Sequence, residues 1–262
     1  MTNILDKIIA HKQVEVEQQK QQVSLQELEN KIKHVKKVSS FKEALQKSPT
    51  GIIAEFKRRS PSRDWIFREA KVDEVIPFYS QNGASAISIL TDLNFFGGTL
   101  QDLEKASGLT TTPLLRKDFM IDEYQIYQAK VYGAGAILLI AAALTPQRTQ
   151  ELAVKAKELE LDVLLEIHNE KELEHITDTV DVVGVNNRDL TRFVTDVKIS
   201  FDLADKIPDN VVKISESGIS STSTVKELRQ AGYKGFLMGE NFMKTPNPGK
   251  ALGEFIKELE KK

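Results

Sequence analysis

The chain has 262 residues, 40% of them hydrophobic, enough to bury a sizeable core as one large domain or two small ones. Its 36 Lys and Arg against 38 Asp and Glu leave a formal net charge of -2, so bulk electrostatics does not direct it to nucleic acid or anionic membrane and any anion site is local. Cysteine is absent, which excludes disulfides, thiolate nucleophiles and thiolate metal sites and is compatible with a reducing compartment.

Residues 1–22 are too polar for a signal peptide or membrane anchor, and no later apolar run approaches the roughly 20 residues needed to span a bilayer. The expectation is a cytoplasmic, monomeric protein with no nucleic-acid or membrane partner. From Ile4 to Gln22 a narrow apolar stripe runs through Lys, Glu and Gln, which predicts a helix. A second helix is predicted over Leu25 to Ile32, with Ser24 and Glu27 spaced as a capping box, and a third over Phe41 to Leu45. Residues 1–50 thus read as a helical extension packed on the domain as a lid or plug, outside the core.

Eight apolar runs of strand length follow: Ile52 to Lys57, Ala86 to Leu90, Leu114 to Lys117, Ala136 to Ile140, Val163 to Ile167, Val182 to Val185, Val211 to Ile214 and Gly235 to Met238. Helical patterns alternate with them, including Val72 to Tyr79, Tyr124 to Val131, Gln147 to Leu159, Glu170 to His175 and Val225 to Ala231, with Gly83, Gly133 and Gly232 at C-cap positions. Strands apolar on both faces fit a parallel sheet covered by helices on one side and filled by a barrel interior on the other. Eight units in about 210 residues predict a closed (β/α)8 barrel over 51–262 rather than an open doubly wound sheet. No Gly-x-Gly-x-x-Gly follows the first strand, which removes the main support for a dinucleotide site.

In such a barrel chemistry sits where the βα loops converge, at the C-terminal strand ends. The ends carry Glu55 and Lys57, Lys117-Asp118, Glu166, Asn186 to Asp189, and Ser215-Glu216-Ser217-Gly218. Ile53, Glu55 and Lys57 alternate along one strand and face one side, so an acid and an amine stand one above the other. A buried ion pair would account for one such strand, but five polar strand ends on one rim point to a pocket. Two lysines there would lower each other's pKa by repulsion, as general acid or Schiff-base chemistry needs. Ser217-Gly218 after the seventh strand and Gly239-Glu240 after the eighth lie where backbone N–H groups and a short extra helix frequently bind phosphate, and Arg188 is a candidate side-chain contact. Phe95, Phe96 and Phe119 offer a flat apolar wall for an aromatic substrate. The four histidines have no metal-ligand spacing and none falls on a clear strand end, so no metal is expected. An aldolase on the same barrel and an inactive binding protein that keeps the barrel remain open on these residues alone.

The assembled rim resembles the indole-3-glycerol-phosphate synthase family along essentially the whole chain. The matching runs are Glu55-Phe56-Lys57-Arg58-Arg59-Ser60-Pro61-Ser62, Ser88 to Asp92 with Phe95-Phe96-Gly97-Gly98, Leu115 to Asp122, Leu165-Glu166-Ile167-His168, Gly184 to Leu190, Ser215 to Ile219 and Met238 to Met243. The resemblance implies cofactor-free closure of an indole ring in tryptophan biosynthesis. The substrate would be 1-(2-carboxyphenylamino)-1-deoxyribulose 5-phosphate, and carbon dioxide and water would leave. It implies that Lys117 is the general acid on the ribulose carbonyl. Lys57 would hold the departing carboxylate and donate a proton in the later dehydration. Glu166 would be the acid or base of that dehydration, positioned by Glu55, Asn186, Glu216 and Ser217. Ser60, Phe96, Phe119, Arg188 and Glu216 would line the substrate site, while Ser217, Gly218, Gly239 and Glu240, the last through its backbone, would hold the phosphate. One departure stands out: after Ser62 the family usually continues Lys-Gly-x-Ile, whereas this chain has Arg63-Asp64-Trp65-Ile66, with its only tryptophan.

Overall fold

The structure, a computed structural model, describes residues 3–35, 37–189 and 194–261; Met1 and Leu190, the end of one matching run, lie outside them. Helices α1 (Ile4–Gln22), α2 (Leu25–Ile32) and α3 (Phe41–Lys47) come first. Ser24 and Glu27 form the expected reciprocal capping box on α2, and Asn3 with Asp6 forms another on α1. Eight strands follow: β1 (Ile52–Phe56), β2 (Ala86–Leu90), β3 (Leu114–Lys117), β4 (Ala136–Ile140), β5 (Asp162–Ile167), β6 (Val182–Asn186), β7 (Val212–Glu216) and β8 (Gly235–Met238). All pair in parallel with their neighbours, and β1 pairs with both β2 and β8, closing the predicted barrel.

The connecting helices are α4 (Val72–Gln81), α5 (Leu93–Phe96), α6 (Leu100–Ser107), α7 (Glu123–Val131), α8 (Pro146–Glu158), α9 (Lys198–Leu203), α10 (Thr222–Gln230), α11 (Glu240–Met243) and α12 (Pro248–Leu259). Gly83, Gly133 and Gly232 follow α4, α7 and α10 with φ of 91°, 84° and 96°, as C-cap glycines do. Between β5 and β6 the expected helix is instead a 3-10 turn over Glu170–His175, closed by an Ile176 N–H to Leu173 carbonyl bond.

Strand periodicity separates two apolar layers. Ile52, Ala54 and Phe56 of β1 face the helices, as do Ile87 and Ile89 of β2 and their equivalents around the barrel. The alternate residues point inward, so Ile53, Ala86, Leu115, Ala136, Leu164, Val182, Ile214 and Leu237, one or more from every strand, fill the interior. Phe41 and Leu45 of α3 belong to this interior cluster, and both are buried. The expectation that all core residues follow Gly51 is therefore corrected: α3 presents an aromatic and an aliphatic side chain to the barrel filling.

Candidate active site

Continuing the inward alternation past the apolar layer reaches the polar one. Ile53 is followed by Glu55 and Lys57, Leu115 by Lys117, Leu164 by Glu166, Val182 by Gly184 and Asn186, and Ile214 by Glu216. The ladder extends further than expected on β6 and β7, with Asn186 in register with Glu216 and Gly184 with Glu166. Apart from Lys57, which lies one residue past β1, these side chains are thus aimed by paired strands rather than by loops. The structure gathers Glu55, Lys57, Ser60, Phe96, Lys117, Phe119, Glu166, Asn186, Arg188, Glu216 and Ser217 around one cavity, whose apolar wall includes Leu90, Leu138, Ile140 and Leu237. Phe96 and Phe119 stand together there, ring centroids 5.9 Å apart.

Lys117 Nζ lies between two carboxylates, 3.1 Å from Glu166 Oε2 and 3.1 Å from Glu216 Oε2. Across the cavity Lys57 Nζ is 2.5 Å from Glu55 Oε1. Burial would lower the pKa of Lys117, but Glu216, Glu166 and Glu55 outweigh it and raise it. This corrects the expectation of mutual lowering between lysines: carboxylates, not the second amine, dominate the surroundings of Lys117. Those acids are split in turn. Burial opposes ionisation of Glu166, yet Lys117, His168 and Asn186 hold its pKa well below the usual range, whereas burial, opposed by Lys117 and reinforced by Glu166, pushes Glu216 up to about 7. A pair of acids so divided is an arrangement suited to proton transfer. Glu216 lies over Gly184, where any Cβ would collide with its carboxylate.

His168 is a functional candidate that the sequence reading passed over, and the statement that no histidine falls on a strand end is corrected. It directly follows β5, with Nε2 3.3 Å from Glu166 Oε1 and Nδ1 3.2 Å from Glu172 Oε2. Its position one residue beyond Ile167 was a usable signal. Asn186 donates from Nδ2 to Glu166 Oε1 at 3.1 Å and accepts the Arg188 backbone N–H at 3.0 Å. Neighbouring Asn187 is buried and braces the β7 end, donating to Ser215 Oγ and to the Ser217 carbonyl, each at 3.0 Å.

Ser217, Gly218, Gly239 and Glu240 line an adjoining cavity that shares Glu55, Lys57, Arg188, Ser217 and Leu237 with the first. Ser217 and Gly218 have consecutive positive φ values, 66° and 75°. The positive φ at the non-glycine Ser217 marks a constrained position on this cavity. Gly239 precedes α11, the short extra helix expected after the eighth strand. Arg188 spans the two cavities, donating from Nη1 to Ser62 Oγ at 2.8 Å, with Nη2 3.9 Å from Glu240 Oε2. Among the described residues no cluster of His, Asp and Glu is arranged to hold a metal ion.

Two segments cover the rim. After β1, Arg59–Ser60 pairs antiparallel with Asp64–Trp65. Asp64, where the resemblance implies a glycine, has a left-handed φ of 53°, while its carboxylate accepts from Arg59 Nε at 2.7 Å. Trp65 lies between the Arg59 and Arg68 guanidiniums, 5.5 and 5.0 Å from its ring. The other cover is α1, whose Ile4, Leu5 and Ile8 line the first cavity. It is anchored by Lys12, which is 0% exposed, 3.0 Å from Asp92 and 2.9 Å from Asp118. Arg116, also buried, clamps the far oxygen of Asp118 at 2.9 Å.

The family model described as "Indole-3-glycerol phosphate synthase" matches residues 5–255. A curated indole-3-glycerol phosphate synthase from Bacteroides thetaiotaomicron is 54% identical over 260 residues, covering 99% of this chain and 100% of that protein. Another from Aliarcobacter butzleri is 39% identical over 261 residues, covering 98% and 99%. Among solved structures, a mutant tryptophan synthase alpha-subunit from Pyrococcus furiosus superposes with a TM-score of 0.60 at 14% identity, covering 80% of this chain and 97% of that one. Thiamine phosphate pyrophosphorylase from the same organism gives 0.59 at 13%, covering 80% and 96%. At such identities these structures show the barrel fold alone.

Proposed function

Because the chain belongs to the indole-3-glycerol phosphate synthase family, lyases that close the indole ring in tryptophan biosynthesis, we propose that Lys117, Lys57 and Glu166 carry its three chemical steps. In the first, the anilino nitrogen pushes electron density to the ring carbon that bears the carboxylate, this carbon attacks the ribulose carbonyl, and Lys117 protonates the oxygen. In the second, carbon dioxide leaves from that ring carbon and its electron pair neutralises the iminium, so the substrate is its own electron sink. In the third, Lys57 protonates the new hydroxyl, water departs, and Glu166 takes the proton whose loss completes the aromatic ring. The protein's task is to orient, to move protons at these atoms and to exclude water.

The observation that carries this reading is the bridging of Glu166 and Glu216 by Lys117 in the cavity that also holds the Lys57–Glu55 pair. Lys57 is then placed to grip the departing carboxylate before its proton is needed. Phe96 and Phe119 take the anthranilate ring, Ser60, Arg188, Asn186 and Glu216 position the chain of the sugar, and Ser217, Gly218, Gly239 and the Glu240 backbone take the phosphate. In this reading residues 1–50 form an extension to the barrel of 51–262, and the protein works as a monomer in the cytoplasm. Among the described residues no helix is long and apolar enough to cross a membrane. The test is a fluorescence assay of indole formation from the anthranilate-derived substrate, with Lys117→Ala as control. Turnover lost in the variant supports the assignment, whereas undiminished turnover removes Lys117 from it. Borohydride trapping of a ketose phosphate on Lys117 or Lys57 would favour a Schiff-base aldolase instead.

A further inference from the structure

Resting on the proposed role of Glu166, we infer that His168 is a positioning residue which fixes the division of charge between the two carboxylates that share Lys117, keeping Glu166 as the anion and leaving the proton to Glu216. Three features carry this. His168 is bracketed by carboxylates on both ring nitrogens, Glu166 from β5 and Glu172 from the following 3-10 turn. The backbone N–H of His168 donates to the same Glu172 oxygen at 2.7 Å, which fixes the ring's root. The opposite carboxylate has no such support: among the described residues Glu216 Oε1 is buried without a hydrogen-bond partner, although Glu216 Oε2 meets Lys117 as Glu166 Oε2 does. Thus one member of the acid pair has an imidazole and Asn186 on its second oxygen, and the other has no hydrogen-bond partner there among the described residues.

The Nε2 to Oε1 contact at 3.3 Å is a charge contact rather than an aligned hydrogen bond, for His168 Nε2 has no aligned hydrogen-bond partner among the described residues. Its effect on Glu166 therefore depends on the imidazole being protonated. Two of the charged groups around the ring, Glu166 and Glu172, are in contact with it and favour this, whereas Arg188, which opposes it, and Asp189 line the same side cavity. Burial opposes the charge, but the two glutamates prevail and raise the His168 pKa to about 10. The chemistry then follows from the sign of the neighbour. An imidazolium beside Glu166 lets it stay ionised while Glu216, lacking one, keeps a proton.

The test uses the full-length protein, a neutral variant His168→Asn and a charge-retaining variant His168→Lys. Nitrogen NMR reads the protonation state of His168 without reference to turnover, its signal assigned among four histidines by its loss in His168→Asn. An imidazolium at pH 8 is expected, and a neutral ring there overturns the inference. In the assay, His168→Asn is expected to move the acidic limb of kcat/KM up by about one pH unit, with His168→Lys restoring part of the shift. A superimposable profile in His168→Asn overturns the inference, as does a uniform loss at all pH in both variants, which is what simple packing damage would produce. Glu166→Gln separates the levels: full activity in that variant refutes the role of Glu166, while a fall in the His168 pKa in its NMR titration still supports the contact between the two.

Discussion

Lys12 on the first helix and Asp118 just beyond the third strand form a 2.9 Å ion pair in which neither side chain is exposed to solvent. Asp92 completes the arrangement at 3.0 Å, so one ammonium from α1 neutralises carboxylates at the ends of two barrel strands. Lys12→Met should therefore cost more than a surface lysine would, roughly 3 to 5 kcal/mol, because it takes the ammonium from buried Asp92 and leaves Asp118 with Arg116 alone. Activity should fall as well, since the same helix brings Ile4, Leu5 and Ile8 to the cavity. Urea unfolding and a KM measurement check both, and a loss below about 1 kcal/mol, the scale of an exposed pair, would contradict the buried-anchor account.

Lys117→Ala should reduce turnover by roughly a hundred- to ten-thousand-fold, the range for loss of a positioned acid, with a smaller effect on substrate affinity. It also removes the ammonium that holds the Glu216 carboxyl down, so Glu216, pushed up to about 7 in the parent, should keep its proton to higher pH in the variant. Single-turnover kinetics and potentiometric titration are the measurements. A variant in which Glu216 ionises at the same pH as in the parent would show that Lys117 does not hold the acids apart.

Glu216 and Asp118 should tie stability to pH in opposite senses. Glu216 is pushed by burial from an ordinary 4.5 up to about 7, so the folded state holds a proton that the unfolded chain has released; its contribution is full below pH 4.5 and fades as the pH rises to about 7. Burial would also raise Asp118, but Lys12 and Arg116 hold it well below its ordinary 3.8, so its contribution is full above that pH and is lost on acidification. Replacing Glu216 by Gln should thus help the fold more at pH 8 than at pH 5, by roughly 1 to 3 kcal/mol. Urea unfolding at the two pH values gives the difference, and identical offsets would refute the assignment.

Inorganic phosphate should compete with substrate at the Ser217-Gly218 and Gly239-Glu240 backbone. Gly218 has φ of 75° and an added Cβ would meet the Thr195 side chain at 2.7 Å, so Gly218→Val should raise KM and the phosphate inhibition constant together, about tenfold or more. Phosphate inhibition unchanged in this variant would place the anion elsewhere.

Truncation should separate the helices from one another. Removal of residues 1–33 should leave a folded barrel of low activity, stripped of Lys12 and the α1 wall. Removal of 1–47 should abolish cooperative unfolding, because it also takes Phe41 and Leu45, buried core side chains whose loss costs several kcal/mol each. Thermal melts followed by circular dichroism compare the two, and equal melting temperatures would show that α3 adds nothing to the core.

The barrel was legible because its strands carry their own period. Ile53, Glu55 and Lys57 repeat every second residue, and that alternation alone aims the polar groups at the cavity. Lys12 was illegible for the opposite reason: in a helix rich in Lys, Glu and Gln, one buried ammonium has the same local pattern as a solvated one, and only tertiary contact distinguishes them. Phe41 and Leu45 gave a correct short helix but no indication of what covers it. The sequence puts Lys117 on the rim but does not reveal its electrostatics, since it shows which charges share a rim but not which are 3.1 Å apart.

The position of α3 has a consequence for how the chain is made. Phe41 and Leu45 belong to an interior cluster to which all eight strands contribute, the last of which, at Leu237, closes the ring against β1. Synthesis proceeds from the N-terminus, so this helix leaves the ribosome before any of the strands that will enclose its apolar face. It must wait, exposed, until nearly the entire polypeptide has been translated, and the pairing of the first strand with the last must wait equally long. During that interval Phe41 and Leu45 are a natural point of contact for chaperones.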